Sequence, residues 1–296
     1  MEKREVFKNS YLAFILAFPT LIILLLFLYY PTFKTFILSF YQVGFLGLSK
    51  IFVGIENYIT LFTDPNYQQI FYNTFIFVVS NVGLSLGLGL LLAVLANTKV
   101  KGWRIYRLLL IWPYALPPAV AGVIFLFMFN TQVGIINYFL GHFIGIKPDW
   151  LSNPILAMFV IILASVWKNI GYNVVFYLAA LQNLPGDVLE AAEIDGASCW
   201  QKFWHITFPL LSPMTLFLLI MDTIAAFFDC FAFVDILTKG GPAGSTTLLI
   251  YSIYRDGFEY FKTGMAAAQS VILFIIVVIL TILQLRLSKN WVSYSR

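Results

Sequence analysis

The chain is poor in charged residues. Asp, Glu, Lys and Arg make up 11% of its 296 residues, whereas about one quarter is usual for soluble domains. Hydrophobic residues make up 60% and aromatic residues 18%, and the net charge of +4 is dispersed along the chain. This composition excludes an ordinary soluble domain and gives no sign of nucleic-acid binding. It indicates an integral membrane protein with two membrane–water interfaces to line with aromatic rings.

Cysteine and histidine are also scarce. Cys199 and Cys230 lie far apart without metal-ligand spacing, and no structural disulfide is expected, because Cys199 falls in a segment predicted to be cytoplasmic. His142 and His205 are the only histidines, and neither is near a candidate nucleophile and carboxylate in sequence. A membrane-embedded enzyme would need such a cluster. The chain also lacks a G-x-x-x-x-G-K-[ST] phosphate loop, so we expect it not to hydrolyse ATP itself.

Six apolar stretches are long enough to cross a membrane as helices of roughly 20 residues. They are residues 12–36, 70–96, 108–129, 155–181, 208–231 and 266–285. The first lacks a small-residue cleavage site and is read as a retained anchor, in which Pro19 and Pro31 predict a kink or an early end. We therefore predict an all-α membrane protein with six transmembrane helices in one domain, residues 1–296. An ion-coupled transporter is less favoured, since no matching halves with broken helices are visible.

The distribution of lysine and arginine predicts the orientation. With the N-terminus inside, eleven basic residues fall on the cytoplasmic side: Lys3, Arg4, Lys8, Lys99, Lys101, Arg104, Arg107, Lys202, Arg286, Lys289 and Arg296. Six fall outside: Lys34, Lys50, Lys147, Lys239, Arg255 and Lys262. Both termini are thus predicted to be cytoplasmic. The external stretches 37–69 and 232–265 are expected to form short periplasmic elements.

Small residues line one side of the second span. They are Gly83, Gly87, Gly89 and Ala93, and such residues let helix backbones approach closely. Packing within the chain and contact with another subunit are both open.

A short polar segment, residues 184–206, separates the fourth and fifth spans. Asp187 followed by Glu190 has the pattern of a capping box, and Ser198 followed by Gln201 fits it better. These signals predict two short helices within the 184–206 segment.

The two helices are expected at 188–195 and 199–205, hinged at Gly196, because glycine takes positive φ without strain. Pro209 is expected to open the fifth span, where its missing N–H costs little.

The first of these helices carries small and acidic side chains. Ala191 and Ala192 are small enough to sit flat against a partner, while Glu190 and Glu193 share a neighbouring face and can address basic groups. We interpret this helix as a docking surface; an incidental amphipathic helix is the alternative.

The 184–206 segment and its flank also carry a recognisable motif. Glu190-Ala191-Ala192, Gly196, Ile206 and Pro209 match E-A-A-x3-G-x9-I-x-L-P, with Phe208 in place of the usual Leu. The chain therefore resembles the permease subunits of ABC importers, in which this motif seats in a cytoplasmic ATPase. The resemblance implies that docking uses Glu190, Ala191, Ala192, Asp195, Gly196 and Pro209.

Other strings extend the resemblance along nearly the whole chain. They include Trp112-Pro113-Tyr114-Ala115, Pro118-Ala119-Val120-Ala121, Trp167-Lys168-Asn169-Ile170-Gly171-Tyr172-Asn173, Gly240-Gly241-Pro242 and Ala267-Ala268-Gln269-Ser270. These strings are similar to permeases of the carbohydrate, maltose-type class, and within it to the A-type permease of sn-glycerol-3-phosphate importers. The alternative within the class is a permease for a disaccharide or oligosaccharide.

The resemblance implies the rest of an importer in the bacterial inner membrane. Its other parts would be a second, homologous permease, two ATPase subunits that use ATP and magnesium, and a periplasmic substrate-binding protein. The chain itself is expected to bind no cofactor and no metal. Transport would proceed by alternating access of a lipid-embedded path.

Two charged residues fall in the middle of predicted spans, Lys168 in the fourth and Asp222 in the fifth. Each costs about 2.5–3.5 kcal/mol on insertion scales, so each should face protein or a wet cavity. Tyr172 and Asn173 flank Lys168 on the fourth span, and Asp229 lies seven residues after Asp222. These five residues are the candidate lining of a substrate path, where a cation would suit a phosphate-bearing cargo. A structural Lys168–Asp222 pair is the alternative.

Overall fold

The computed structural model describes residues 10–44, 49–97 and 102–288, and the described part is almost entirely helical. The predicted all-α membrane fold is therefore confirmed. The described residues form two compact units. One contains the described residues up to Phe62 together with Ile253–Ile272, and the other contains Thr63–Ser252 and the described residues from Leu273 onward. The assignment of residues 1–296 to one permease domain stays a prediction.

The first span belongs to the first unit. It consists of α1 (Ser10–Leu24), a π-helical turn (Leu25–Tyr29) and α2 (Tyr30–Leu38). Pro19 lies inside α1 and Pro31 at the start of α2, so the helix continues past both prolines and the early end considered above is wrong. The irregularity is the π-helical turn just before Pro31. No described side chain between 13 and 38 is buried, as befits a helix exposed to lipid.

A small hairpin and a helix follow in the stretch 37–69. Antiparallel strands β1 (Tyr41–Val43) and β2 (Lys50–Phe52) lead to α3 (Glu56–Thr63). The buried side chain of Asn57 donates hydrogen bonds to the carbonyls of Ser39 (2.8 Å) and Tyr41 (3.2 Å). This amide thus fixes the end of the first span to α3.

Two long helices form the body of the second unit, α4 (Pro65–Ala96) and α8 (Pro154–Gln182). Each starts with the same local chemistry: a capping side chain followed by proline at the first helical position. Asp64 Oδ1 accepts from the Asn66 N–H at 2.8 Å, and Asn153 Oδ1 accepts from the Ile155 N–H at 3.0 Å. The proline costs nothing there, because its missing N–H would have no intrahelical partner.

The core of the second unit lies where these helices meet α12 (Ser212–Phe228). Its buried members are Ala93, Tyr177, Leu178, Leu181, Leu211 and Leu218. Ala93 is fully buried, so the small residue predicted on the second span allows close packing within this chain.

The third predicted span is broken. Helix α5 (Trp103–Ile111) passes into a 3-10 turn (Trp112–Ala115), and α6 (Pro118–Met128) follows at 103°. The cause is local: Pro113, Pro117 and Pro118 each lack an N–H, and the residue before a proline is pushed away from helical geometry. Hydropathy alone does not reveal this break, because every residue across it is apolar or aromatic.

The remaining helices complete the chain. They are α7 (Ile135–Phe143), α9 (Gly186–Ile194), α10 (Cys199–Lys202), α11 (Phe208–Leu210), α13 (Phe231–Leu237), α14 (Leu249–Tyr254) and α15 (Thr263–Ser288), with π-helical turns at Phe203–Thr207 and Arg255–Glu259. The short elements expected in 232–265 are thus present.

Among the described residues, four continuous helices are long and apolar enough to cross a membrane, and two bent pairs raise the number to six. The bent pairs correspond to the third and fifth predicted spans. Much of the charge asymmetry that predicts the orientation lies outside the described residues, at Lys3, Arg4, Lys8, Lys99, Lys101, Lys289 and Arg296. The cytoplasmic placement of both termini stays a prediction.

Candidate functional site: the 184–206 segment and a polar cluster between the spans

Helix α9 presents the first half of the motif. It begins after Pro185, whose side chain makes no capping bond, so the predicted capping role of Asp187 is wrong. An acidic residue in the first turn still suits the positive end of the helix dipole. Glu190 is exposed, and within the described residues its carboxylate forms no hydrogen bond or ion pair. This carboxylate is free to meet a basic group on another protein.

The two alanines of the motif differ in their surroundings. Ala191 is exposed, whereas Ala192 is 8% exposed and packs within the chain. The expectation that both lie against a partner therefore needs correction: only Ala191 is available, and Ala192 seats α9 on its own subunit.

Gly196 ends α9 in a Schellman motif. Its φ is +80°, its N–H bonds the Glu193 carbonyl at 3.1 Å, and the Ala197 N–H bonds the Ala192 carbonyl at 3.0 Å. This is the pair of bonds that closes a helix through a left-handed glycine. The predicted hinge is confirmed, and Asp195 lies exposed just before it.

The second helical stretch starts with the predicted capping box. The Ser198 N–H bonds Gln201 Oε1 at 2.9 Å, and the Gln201 N–H bonds Ser198 Oγ at 3.3 Å. Across the hinge, Lys202 Nζ donates to Glu193 Oε1 in an ion pair, and this bond raises the pKa of Lys202. Both acids are exposed, but Glu193 is engaged within the segment, which leaves Glu190 as the unpaired acid of the two among the residues that the structure describes.

Pro209 does not open the fifth span as expected. It lies in α11, and the chain bends by 64° before α12 starts at Ser212. The cause is Pro213, which has no N–H to give to the Pro209 carbonyl four residues earlier. Ser212 Oγ donates to that carbonyl instead, at 2.6 Å.

A polar cluster lies between the long helices of the second unit. Lys168 of α8 is buried, and its Nζ lies 4.9 Å from the centre of the Tyr114 ring. Tyr172, one turn further on, packs against the same ring at 5.4 Å between centroids. Among the described residues, Lys168 has no carboxylate within ion-pairing distance. A cation–π contact thus holds the ammonium group.

Asn173 and Asp222 form the other half of the cluster. Asn173 Nδ2 donates to Asp222 Oδ2 at 2.8 Å, and both residues are buried. Gly89 of α4 makes room for this pair, because a Cβ there would lie 2.5 Å from the Asn173 Cβ. The Lys168–Asp222 pair considered from the sequence is therefore wrong: Asp222 bonds Asn173.

Asp229 stands apart from the other four candidates. It is exposed at the C-terminal end of α12, and it acts on Lys168 by electrostatics at longer range. The structure thus brings Lys168 and Tyr172 together around Tyr114, and Asn173 and Asp222 together beside Gly89.

The sequence alone did not identify several residues of this polar cluster and its surroundings. Tyr114 belongs to a string already noted, and the prolines around it could have indicated a break that turns its ring toward α8. Asn81 and Ser85, one turn apart on α4, are buried with side-chain atoms that have no hydrogen-bond partner in the described part of the chain. Two polar residues spaced by four within an apolar span were the available signal.

Similarity to known proteins identifies the family of this chain. Residues 85–292 match the family described as binding-protein-dependent transport system inner membrane component. The chain is 42% identical over 291 residues to the sn-glycerol-3-phosphate transport system permease protein UgpA of Pectobacterium atrosepticum, covering 98% of each chain. It is 41% identical over 293 residues to UgpA of Brucella suis, covering 99% of this chain and all of that one.

The fold also matches solved structures. A bacterial ABC transporter involved in the import of the acidic polysaccharide alginate aligns with a TM-score of 0.83 at 21% identity, covering 95% of this chain and 96% of that chain. The same transporter, in complex with an alginate pentasaccharide-bound periplasmic protein, aligns with a TM-score of 0.83 at 20% identity. The chain belongs to the family of binding-protein-dependent transport system inner membrane components, as a multi-pass, non-catalytic permease of an ABC transporter.

Proposed function

We propose that this chain is one permease subunit of an ATP-driven importer that carries sn-glycerol-3-phosphate, or a related glycerophosphodiester, across the inner membrane. The observation that carries this proposal is the 41–43% identity, over essentially the whole length, to permeases named for sn-glycerol-3-phosphate transport. The buried Lys168 supports it, because an ammonium group without a carboxylate partner favours an anionic cargo. Tyr172, Asn173, Asp222 and Asp229 are proposed to line the same path.

The remaining subunits follow from the same proposal. A second, homologous permease completes the path, a periplasmic binding protein delivers the cargo, and two ATPase subunits supply the energy from the cytoplasm. The docking surface on this chain consists of Glu190, Ala191, Asp195 and Gly196, all of which are exposed. Two further residues support this surface. Ala192 packs α9 against its own subunit, and Pro209 lies where the chain leaves the segment.

Transport by the complete complex tests the cargo. The complex in proteoliposomes, with its binding protein outside and ATP inside, should accumulate labelled sn-glycerol-3-phosphate. An excess of unlabelled disaccharide should not reduce this uptake. Accumulation of a labelled neutral disaccharide, without competition from sn-glycerol-3-phosphate, would assign the chain to a sugar importer instead.

Glu190→Lys tests the docking surface. Reversing the charge of this exposed acid should remove cargo-stimulated ATPase activity and uptake, while Glu190→Gln should have an intermediate effect. Copurification of the second permease with the variant is the control for folding. Unchanged stimulation by cargo in Glu190→Lys would exclude Glu190 from the docking surface.

A further inference from the structure

An aromatic stripe runs along the second half of the 184–206 segment. Trp200, Trp204 and Phe208 follow one another at intervals of four, with ring centroids 5.7 Å and 5.2 Å apart. Trp200 is 71% exposed and Trp204 44% exposed. Such rings are costly to leave in water, which favours a covering surface beyond the described residues.

The opposite side of the same stretch is polar and already engaged. Lys202, two residues from both tryptophans, is ion-paired with Glu193 of α9. Side chains two apart on a helix do not share a face, so the tryptophans lie on the side away from this ion pair. The side toward α9 and the Gly196 hinge contains a shallow groove lined in part by Gln201, Lys202 and His205.

The stretch also bends sharply away from the fifth span. Residues Cys199–Leu210 are helical and meet the axis of α12 at 64°, with Leu211 the only residue between them and the first residue of the span. The stripe is therefore continuous with the end of a transmembrane helix. Tryptophan is enriched at this depth, where its ring lies among lipid headgroups and its N–H stays hydrated.

We infer that the stripe formed by Trp200, Trp204 and Phe208 seats in the headgroup–acyl boundary of the membrane, while α9 and the Gly196 turn face the ATPase. The 184–206 segment then has two partners on two sides of the Gly196 turn. The second half of the segment then lies in the membrane surface like an interfacial helix, with its apolar face toward the acyl chains. The Lys202–Glu193 ion pair couples the position of the second half of the segment to that of α9. The inference relies on the proposed function only for the identity of the partner of α9.

Photo-crosslinking of the intact complex distinguishes the two partners. The complex, in nanodiscs of phosphatidylethanolamine and phosphatidylglycerol, carries p-benzoyl-phenylalanine in place of Trp200, Trp204 or, as a matched control, Asp187, which is exposed on α9. After irradiation, mass spectrometry should detect phospholipid adducts at positions 200 and 204 and an ATPase adduct at position 187. An ATPase or second-permease adduct at 200 and 204, without lipid, would overturn the inference.

The same experiment separates the inference from the proposed function. Loss of the ATPase adduct at position 187, with lipid adducts retained at 204, would contradict the docking of α9 and leave the lipid contact standing. A functional readout completes the test. Trp200→Ser with Trp204→Ser should lower cargo-stimulated ATPase activity severalfold, and Trp200→Phe with Trp204→Phe should retain it. Equal activity of the serine and phenylalanine pairs would show that the stripe does not anchor the segment.

Discussion

Asn173 on α8 donates a 2.8 Å hydrogen bond to Asp222 on α12. Helix α8 precedes the 184–206 segment and α12 follows it. The bond therefore connects, inside the membrane, the two long helices that flank the segment. A displacement imposed on the segment reaches both helices, and the bond makes them respond together. The pair is therefore placed to link the proposed docking surface to the proposed substrate path.

Asp222→Ala should destabilise the protein and weaken coupling. The substitution leaves the buried Asn173 without its partner, which costs about 1–3 kcal/mol. We expect a lower midpoint of thermal unfolding in detergent and a smaller stimulation of ATPase activity by cargo. Asp222→Asn keeps an acceptor for Asn173 and should retain most of both. If Asp222→Ala and Asp222→Asn behave alike, the bond does not link the helices.

Gly89→Ala should destabilise the packing of α4 on α8. The new Cβ would lie 2.5 Å from the Asn173 Cβ, and such overpacking costs about 1–3 kcal/mol. Gly83→Ala on the same helix is a matched control, because nothing lies within 4 Å of a Cβ there. Thermal unfolding should show a loss for Gly89→Ala alone. An equal loss at both positions would show that the contact with Asn173 does not cause it, because helix propensity alone favours alanine over glycine.

Lys168→Met should reduce uptake of the phosphate ester by at least about tenfold, equivalent to about 1.4 kcal/mol. The substitution keeps the length of the side chain and removes the charge that an anionic cargo would meet. Lys168→Arg keeps the charge and the contact with Tyr114, and should retain more uptake. Copurification of the other subunits should be unchanged. Loss of assembly together with uptake would assign Lys168 a structural role.

The effect of a substitution at Gly196 should depend on the backbone conformation that the new residue tolerates, because no atom lies within 4 Å of a Cβ built there. At φ +80° a residue with a Cβ costs about 1–2 kcal/mol, and asparagine tolerates this region best. Cargo-stimulated ATPase activity should therefore fall in the order Gly196→Asn, Gly196→Ala, Gly196→Pro, with proline lowest. Gly186→Ala on the same helix also meets no atom and should have no effect. A different order would mean that space, not φ, limits this position.

Labelling from outside intact cells tests the orientation. Cysteine at Glu56 or Ala243 should react with an impermeant maleimide, whereas cysteine at Arg104 and the native, exposed Cys199 should react only after permeabilisation. All four positions are exposed. The outward-labelling variants need Cys199→Ser as background. The reverse pattern would invert the proposed topology and place α9 in the periplasm.

Local chemistry in the sequence predicted the 184–206 segment well. The Gly196 turn and the Ser198 cap each depend on residues within six positions of one another. The local sequence therefore contains all the information needed to predict them. The bends before Pro118 and Ser212 were missed, because hydropathy does not register a proline that removes one backbone hydrogen bond. The Asn173–Asp222 bond joins residues 49 positions apart. Only the packing of α4, α8 and α12 decides that Asp222 meets Asn173 and not Lys168.

The break in the third span has a consequence for the permeability barrier. Helix α6 has 11 residues, a rise of about 16 Å, against a hydrocarbon thickness of about 30 Å. Backbone outside a helix is tolerated at membrane depth only against protein or water. On one side of the break the protein is α8, whose Gly171 allows close contact. A Cβ at Gly171 would lie 2.9 Å from the Leu110 carbonyl oxygen. Beside Tyr114, then, the backbone dipoles of the break face protein, and lipid chains contribute little to the insulation at this depth.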